Sequence, residues 1–211
     1  MPTIAIDQDS FTSMLVRMAH AHDQGTLSHA TRMTTLGKLL GQGLDLELAE
    51  IDIIGLGALL HDVGKNAVPD AILLKPGRLD EAERRIVARH TASGYELLRD
   101  CRHPALDLAA QVALYHHECF DGSGYPEGLT GQAIPRHARM VAIADVYDAL
   151  RSERPYKAGF SHAETIAIIT KGDGRTSPQQ FDPDGLQALQ RQDRAIQALY
   201  VEAQRVGLPP A

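Results

Sequence analysis

The stretch LELAEIDIIGLGALLHDVGK, residues 46–65, decides the fold. Leu48, Ile51, Ile54, Leu56, Leu59 and Leu60 recur at the three- and four-residue spacings of an α-helix. Asp45 stands where an N-cap would start this helix, and the apolar pattern runs up to His61. Gly64 then breaks it by letting the backbone turn tightly. An apolar helix therefore delivers an adjacent imidazole and carboxylate, His61 and Asp62, to its C-terminal end.

The flanking sequence repeats the helical period. A helix is expected from about Thr26 to Leu40, ending at Gly41, and another from Ser10 to His22 with Phe11, Met14, Leu15 and Met18 on one face. Asn66 to Leu79 reads as a loop, punctuated by Pro69, Pro76 and Gly77. Asp80 and Glu83 form a capping box for a helix reaching His90, and the chain stays helical from Gly94 to Asp100. Pro104 suits the first turn of a helix running to His117. Asp121 to Pro135, with four glycines and two prolines, is irregular. Helix resumes from Arg136 to Leu150, a second capping box stands at Ser161 and Glu164, and Asp182-Pro183 opens a last helix ending near Arg205. No segment alternates as a strand does, so the expected class is all-α, a helical bundle. Residues 1–22 read as a helical extension and 23–211 as one domain.

Composition narrows the possible functions. The chain has 211 residues, 44% of them hydrophobic, enough for a sizeable core. A net charge of -6 argues against broad electrostatic binding of DNA, which requires a basic face. An anionic substrate would need local positive charge from metals and a few placed Lys or Arg residues. Cys101 and Cys119, the only cysteines, make no disulfide framework and read as free thiols of a reducing compartment. MPTIAIDQDS lacks the basic start of a signal peptide, and neither IDIIGLGALL nor ALDLAAQVAL is long enough to span a bilayer. The expectation is a cytoplasmic protein without membrane insertion.

Two doublets carry the chemistry: His61-Asp62 in LLHDVGK and His116-His117 in ALYHHECFDGSGYP, each followed by glycine. His29, His90 and Asp145 lie before, between and after them. Mixed imidazole and carboxylate donors suit divalent metals that contact phosphate oxygens. Adjacent helical side chains diverge by about 100°, so both members of His61-Asp62 can ligate only if the metals sit beside the helix end or if one carboxylate bridges two ions. Asp62, with two oxygens, is the candidate bridge between two ions, and His61 a terminal ligand. Asp145 and Asp148 share one helix face, and Ala142, Ile143, Ala144 and Val146 make Asp145 look buried, which calls for a partner or a metal. Lys65 can meet a phosphate as a point charge, and Arg154, near Lys157, can grip one in bidentate fashion. His20, His22, His103, His137 and His162 lack ligand-like neighbours and read as ordinary surface or core residues.

Together these segments resemble the HD-GYP family of metal phosphohydrolases: HDVGK (61–65), HTASGYELL (90–98), HHECFDGSGYP (116–126), IPRHARMVAIADVYDAL (134–150), RPYK (154–157) and FDP (181–183). The resemblance implies an HD-domain-like bundle with a GYP loop and extra helices, and hydrolysis of cyclic di-GMP to linear pGpG, with GMP as a further product. It implies two divalent ions, iron or manganese foremost and nickel, cobalt, magnesium or zinc as substitutes. His29, His61, Asp62 and Asp145 would hold one ion and Asp62, His90, His116 and His117 the other. Asp62 and Lys65 would be catalytic. Lys65, Arg154, Lys157 and the loop residues Gly122, Gly124, Tyr125 and Pro126 would bind substrate, with Glu118 and Asp121 bracing the loop. GGDEF-domain proteins, or a separate sensory or receiver protein, are the implied partners.

Three departures stand out. Gly25 occupies the position where some members carry a third-metal glutamate, which predicts a two-metal site and leaves Asp148 without that partner. Cys119-Phe120 replaces a basic-aromatic pair, and GDGRTSPQQFDP is longer than usual before FDP. The competing expectations are a catalytically inactive module that binds the dinucleotide or a partner, a hydrolase of another phosphate ester, and a di-iron sensor.

Overall fold

The computed structural model describes residues 26–99, 101, 103–152 and 159–205, and among them every regular element is helical. The expected helix at Ser10–His22 and the boundary at residue 22 lie outside the described residues. Helix α1, Thr26–Gly43, packs antiparallel in sequence order against α2, Leu48–Leu60. α1 runs past the expected stop at Gly41, because Gly41 is a packing residue whose absent side chain lets Ile51 and Ile54 approach. Asp45 does not cap α2. It turns the chain with φ 55°, and Glu47 takes the N-cap position without a side-chain bond.

A 3-10 turn, Val63–Ala67, runs into the loop expected from Asn66 to Leu79, which also holds a single helical turn, α3, Asp70–Leu73. α4, Glu81–Ala88, starts with the reciprocal bonds of the Asp80/Glu83 capping box. α5, His90–Arg99, follows directly, and α6, Pro104–Tyr115, begins with proline in its first turn. The irregular segment after α6 holds one 3-10 turn, Gly131–Ala133, before α7, Arg136–Arg151. α8, His162–Lys171, carries the Ser161/Glu164 capping box. The expected single C-terminal helix is two: α9, Pro183–Arg191, capped by Asp182, and α10, Asp193–Arg205, with Gln192 ending the first.

Two apolar clusters hold the bundle. Met33, Leu36 and Leu40 of α1 meet Ile54 and Ala58 of α2, Met140, Ile143 and Tyr147 of α7, and Leu189, Ile196 and Tyr200 of α9 and α10. Leu60, Val63, Leu98, Leu106, Ala109 and Ala113 form the second, between α2, α5 and α6. Gly64 joins its 3-10 turn to α5: a Cβ there would lie 1.9 Å from the His90 carbonyl oxygen and 2.4 Å from Gly94 N. Its role is therefore close backbone approach and not the tight turn expected of it. Because α2 and α6 both end beside α5, the two doublets arrive at one place.

Candidate metal centre

His61 caps the C-terminus of α2, His116 caps that of α6, and His90 opens α5 just past the end of α4. The last carbonyls of a helix have no intrahelical donor, and these imidazoles use them. Nδ1 of His61 bonds the Ala58 carbonyl at 2.7 Å, that of His90 the Val87 carbonyl at 2.7 Å, and that of His116 the Ala113 carbonyl at 3.0 Å. A carbonyl only accepts, so each Nδ1 carries a hydrogen, and the neutral form of each ring has its lone pair on Nε2.

Those lone pairs converge. His90 Nε2 lies 3.4 Å from His116 Nε2 and 3.3 Å from Asp62 Oδ1. His61 Nε2 lies 3.3 Å from Asp62 Oδ2 and 3.8 Å from Asp145 Oδ1. His61 Nε2 and Asp62 Oδ1 are buried without a hydrogen-bond partner. Ligand atoms of Asp62, His90, His116 and His117 lie within 4.8 Å of one another, and those of His29, His61 and Asp62 do likewise. Buried, unpartnered ligand atoms such as His61 Nε2 and Asp62 Oδ1 fit cations, and these residues are a chemically suitable set for divalent ions.

The electrostatics agree. Burial lowers the pKa of His61, but Asp62 and Asp145 outweigh it and push it up to about 9. The field that draws a proton to this position would draw a metal ion. Burial holds His116 well below the usual histidine range, and takes His117 down to about 4, which keeps both in the neutral form that ligates. Burial raises the Asp62 carboxyl, yet His61 and Lys65 hold it well below the usual carboxylate range.

Asp145 is less enclosed than its apolar neighbours suggested: its side chain is 24% exposed, against 2% for Asp148. It faces His61, outside the tight triad of His29, His61 and Asp62. Asp148 is the buried carboxylate, and it has partners, namely His29, Arg32 and Tyr200. Burial would raise its pKa, but the bonds from His29 and Arg32 carry it well below the ordinary value. Sequence reasoning missed Arg32 and Tyr200, and only the helical register of Arg32, three residues after His29, could have flagged the first.

Lys65 Nζ sits 2.5 Å from Asp62 Oδ2, so its charge lies beside the proposed bridge. Arg154, Lys157 and Gly25 lie outside the described residues. In the GYP loop, Tyr125 stacks on His117, ring centroids 4.8 Å apart at 28°, and remains 37% exposed. Gly124 permits this turn, since a Cβ would fall 2.3 Å from Cys119 N. Gly122 adopts φ 85°, and the Tyr125–Pro126 peptide is cis. Buried Glu118 accepts from the backbone N–H groups of Glu127 at 2.7 Å, Gly128 at 3.1 Å and Leu129 at 3.0 Å. Asp121 accepts from Ser123 N at 3.0 Å. The long segment before FDP braces the same loop: Phe120 N donates to the Gln180 carbonyl at 2.8 Å. Cys119 is a free thiol whose pKa burial raises, away from reactive thiolate character. His162, expected to be ordinary, links Tyr147 at 2.6 Å to Asp193 at 2.8 Å.

A family model described as HD domain matches residues 13–184. The chain is 45% identical over 179 residues to the cyclic di-GMP phosphodiesterase response regulator RpfG of Xanthomonas campestris pv. campestris, covering 85% of this chain and 46% of that protein. It is 41% identical over 175 residues to the 3′3′-cGAMP-specific phosphodiesterase 2 of Vibrio cholerae, covering 83% and 33%. The chain thus spans less than half the length of either relative. Among solved structures, a cyclic GMP-AMP specific phosphodiesterase of V. cholerae matches with a TM-score of 0.64 at 21% identity, over 95% of this chain and 54% of that one. A Bdellovibrio bacteriovorus protein of the HD-GYP type matches with a TM-score of 0.61 at 20% identity, over 91% and 60%. Motifs, fold and family model agree that the chain belongs to the HD-domain family, in its HD-GYP branch.

Proposed function

We propose that this chain is a metal-dependent phosphodiesterase that hydrolyses cyclic di-GMP to linear pGpG at a centre of two divalent cations, iron or manganese. The observation that carries the reading is the sharing of Asp62 between two groups of converging ligand atoms. The relatives named for cyclic di-GMP support the substrate. His29, His61, Asp62 and Asp145 would hold one cation, and Asp62, His90, His116 and His117 the other.

Bound there, the cations would supply Lewis-acid activation of the phosphoryl group and of the attacking water. The water oxygen bonds to phosphorus as the bond to the 3′ oxygen breaks, and that oxygen leaves with the water's proton. The chain's residues position and stabilise. Lys65 offsets negative charge beside Asp62, and Arg154 and Lys157 would bind the substrate phosphates. Tyr125, backed by His117, offers a half-exposed aromatic face on which a guanine can stack. Since the substrate is a bacterial second messenger, the activity belongs in the cytoplasm; no helix among the described residues is long and apolar enough to cross a membrane.

A second reading, hydrolysis of 3′3′-cGAMP, is favoured by the 41% identity to a phosphodiesterase named for that dinucleotide. The test is anaerobic incubation of iron- or manganese-loaded protein with each dinucleotide, products being resolved by chromatography beside a His61→Ala/Asp62→Ala double variant. Faster wild-type turnover of cyclic di-GMP, ending at pGpG or GMP, supports the first reading. Faster turnover of cGAMP moves the assignment to the second, and turnover of neither by metal-replete protein sinks both.

A further inference from the structure

We infer that Asp148, held by Arg32 and by Tyr200 from α10, is the positioning residue that presents His29 Nε2 to the metal centre, and is not itself a ligand. This rests on the metal-centre reading above. His61, His90 and His116 lie at or just past the C-terminal ends of α2, α4 and α6 and spend Nδ1 on carbonyls there. His29 lies in the first turn of α1, where the free backbone groups are N–H donors. Its described acceptor comes from another helix. Asp148 of α7 supplies it: Oδ2 lies 2.8 Å from His29 Nδ1. A carboxylate only accepts, so Nδ1 carries the hydrogen, and a His29 ligand atom lies within 4.8 Å of those of His61 and Asp62.

The same carboxylate is already filled. Arg32 Nε donates to Oδ1 at 2.6 Å and Nη2 to Oδ2 at 3.0 Å, and the Tyr200 hydroxyl donates to Oδ1. An ionised carboxylate accepts about four hydrogen bonds, so direct ligation by Asp148 would require breaking this set. Two guanidiniums lie over the Tyr200 ring, with Arg32 Cζ 5.6 Å and Arg151 Cζ 5.0 Å from its centroid. The C-terminal helix is thereby tied to a metal ligand near the start of α1.

Asp148→Asn tests this, since one polar atom of the amide must be a donor and some of these partners then face donor to donor. Two readouts are taken on the full chain: affinity for each of two Mn(II) ions by competition with a chelating dye, and the His29 tautomer in metal-free protein by long-range 1H–15N NMR. The expected result is a ~10–100-fold loss of affinity for one ion, unchanged affinity for the other, and loss of the Nδ1–H tautomer. Wild-type affinities with an unchanged tautomer would overturn the inference. If wild type binds no ion, the metal reading fails, while the tautomer still decides for or against Asp148. Should Asp148→Asn not fold, Tyr200→Phe keeps the volume and removes one bond; a ~2–10-fold loss at one ion is expected, and no change in either readout overturns the proposal.

Discussion

His90 and His116 face each other Nε2 to Nε2 at 3.4 Å, and in each ring Nδ1 is committed to a main-chain carbonyl. Burial holds His116 in its neutral form, with Nε2 turned toward His90. A divalent cation would be held by both rings. Adding Mn(II) to chelator-stripped protein should therefore stabilise it by about 2.7 kcal/mol at 100 times the Kd, a rise in Tm of roughly 5–10 °C for a chain of this size. Calorimetry with and without the ion measures this, and an unchanged Tm at saturating Mn(II) would count against the site.

Gly64→Ala should damage stability and metal binding together. The new methyl would lie 1.9 Å from the His90 carbonyl oxygen, so α5 must move away from the turn that follows His61 and Asp62. Overpacking of this kind costs about 1–3 kcal/mol or more. Urea denaturation and dye-competition affinity should fall in parallel; loss of stability with unchanged affinity would show that the two ligand groups do not depend on this contact.

Glu118 holds the segment after Pro126 through three backbone N–H groups. Glu118→Ala leaves those donors without their charged acceptor, at a cost of about 1–3 kcal/mol. Since Tyr125 reaches its place on His117 through this loop, KM for the dinucleotide should rise more than kcat falls. Steady-state kinetics separates the two; a fall in kcat alone would place Glu118 in the chemistry and not in substrate binding.

Legibility followed sequence distance. The capping boxes at Asp80/Glu83 and Ser161/Glu164 span three residues each and form as their sequences predict. The doublets at 61–62 and 116–117 announce the site because each sits at a helix end with its neighbours in one motif. Arg32 and Tyr200 were not legible as partners of Asp148, being 116 and 52 residues away in sequence. Asp145 and Asp148 share apolar surroundings in the sequence, and only the packing of α7 against α1 and α10 decides that Asp148 is the enclosed one. Asp45 looked like an N-cap by residue type, but the link between α1 and α2 needs a left-handed residue there, which Asn or Asp tolerates better than most.

His162 was likewise not legible as a link between helices. It joins the buried Tyr147 hydroxyl to Asp193, tying α7, α8 and α10 together. His162→Ala should destabilise the fold by about 1–3 kcal/mol, leaving that hydroxyl unpaired. Urea denaturation checks this, and an unchanged midpoint would contradict it.

On the metal-centre reading Asp62 joins two ion positions into one centre. The most direct measurement is metal content per chain, by elemental mass spectrometry, for wild type and Asp62→Ala purified anaerobically without chelator. Wild type should hold two ions and the variant none, because each position loses the ligand it shares. A variant that keeps both ions, or a wild type holding three, would contradict it.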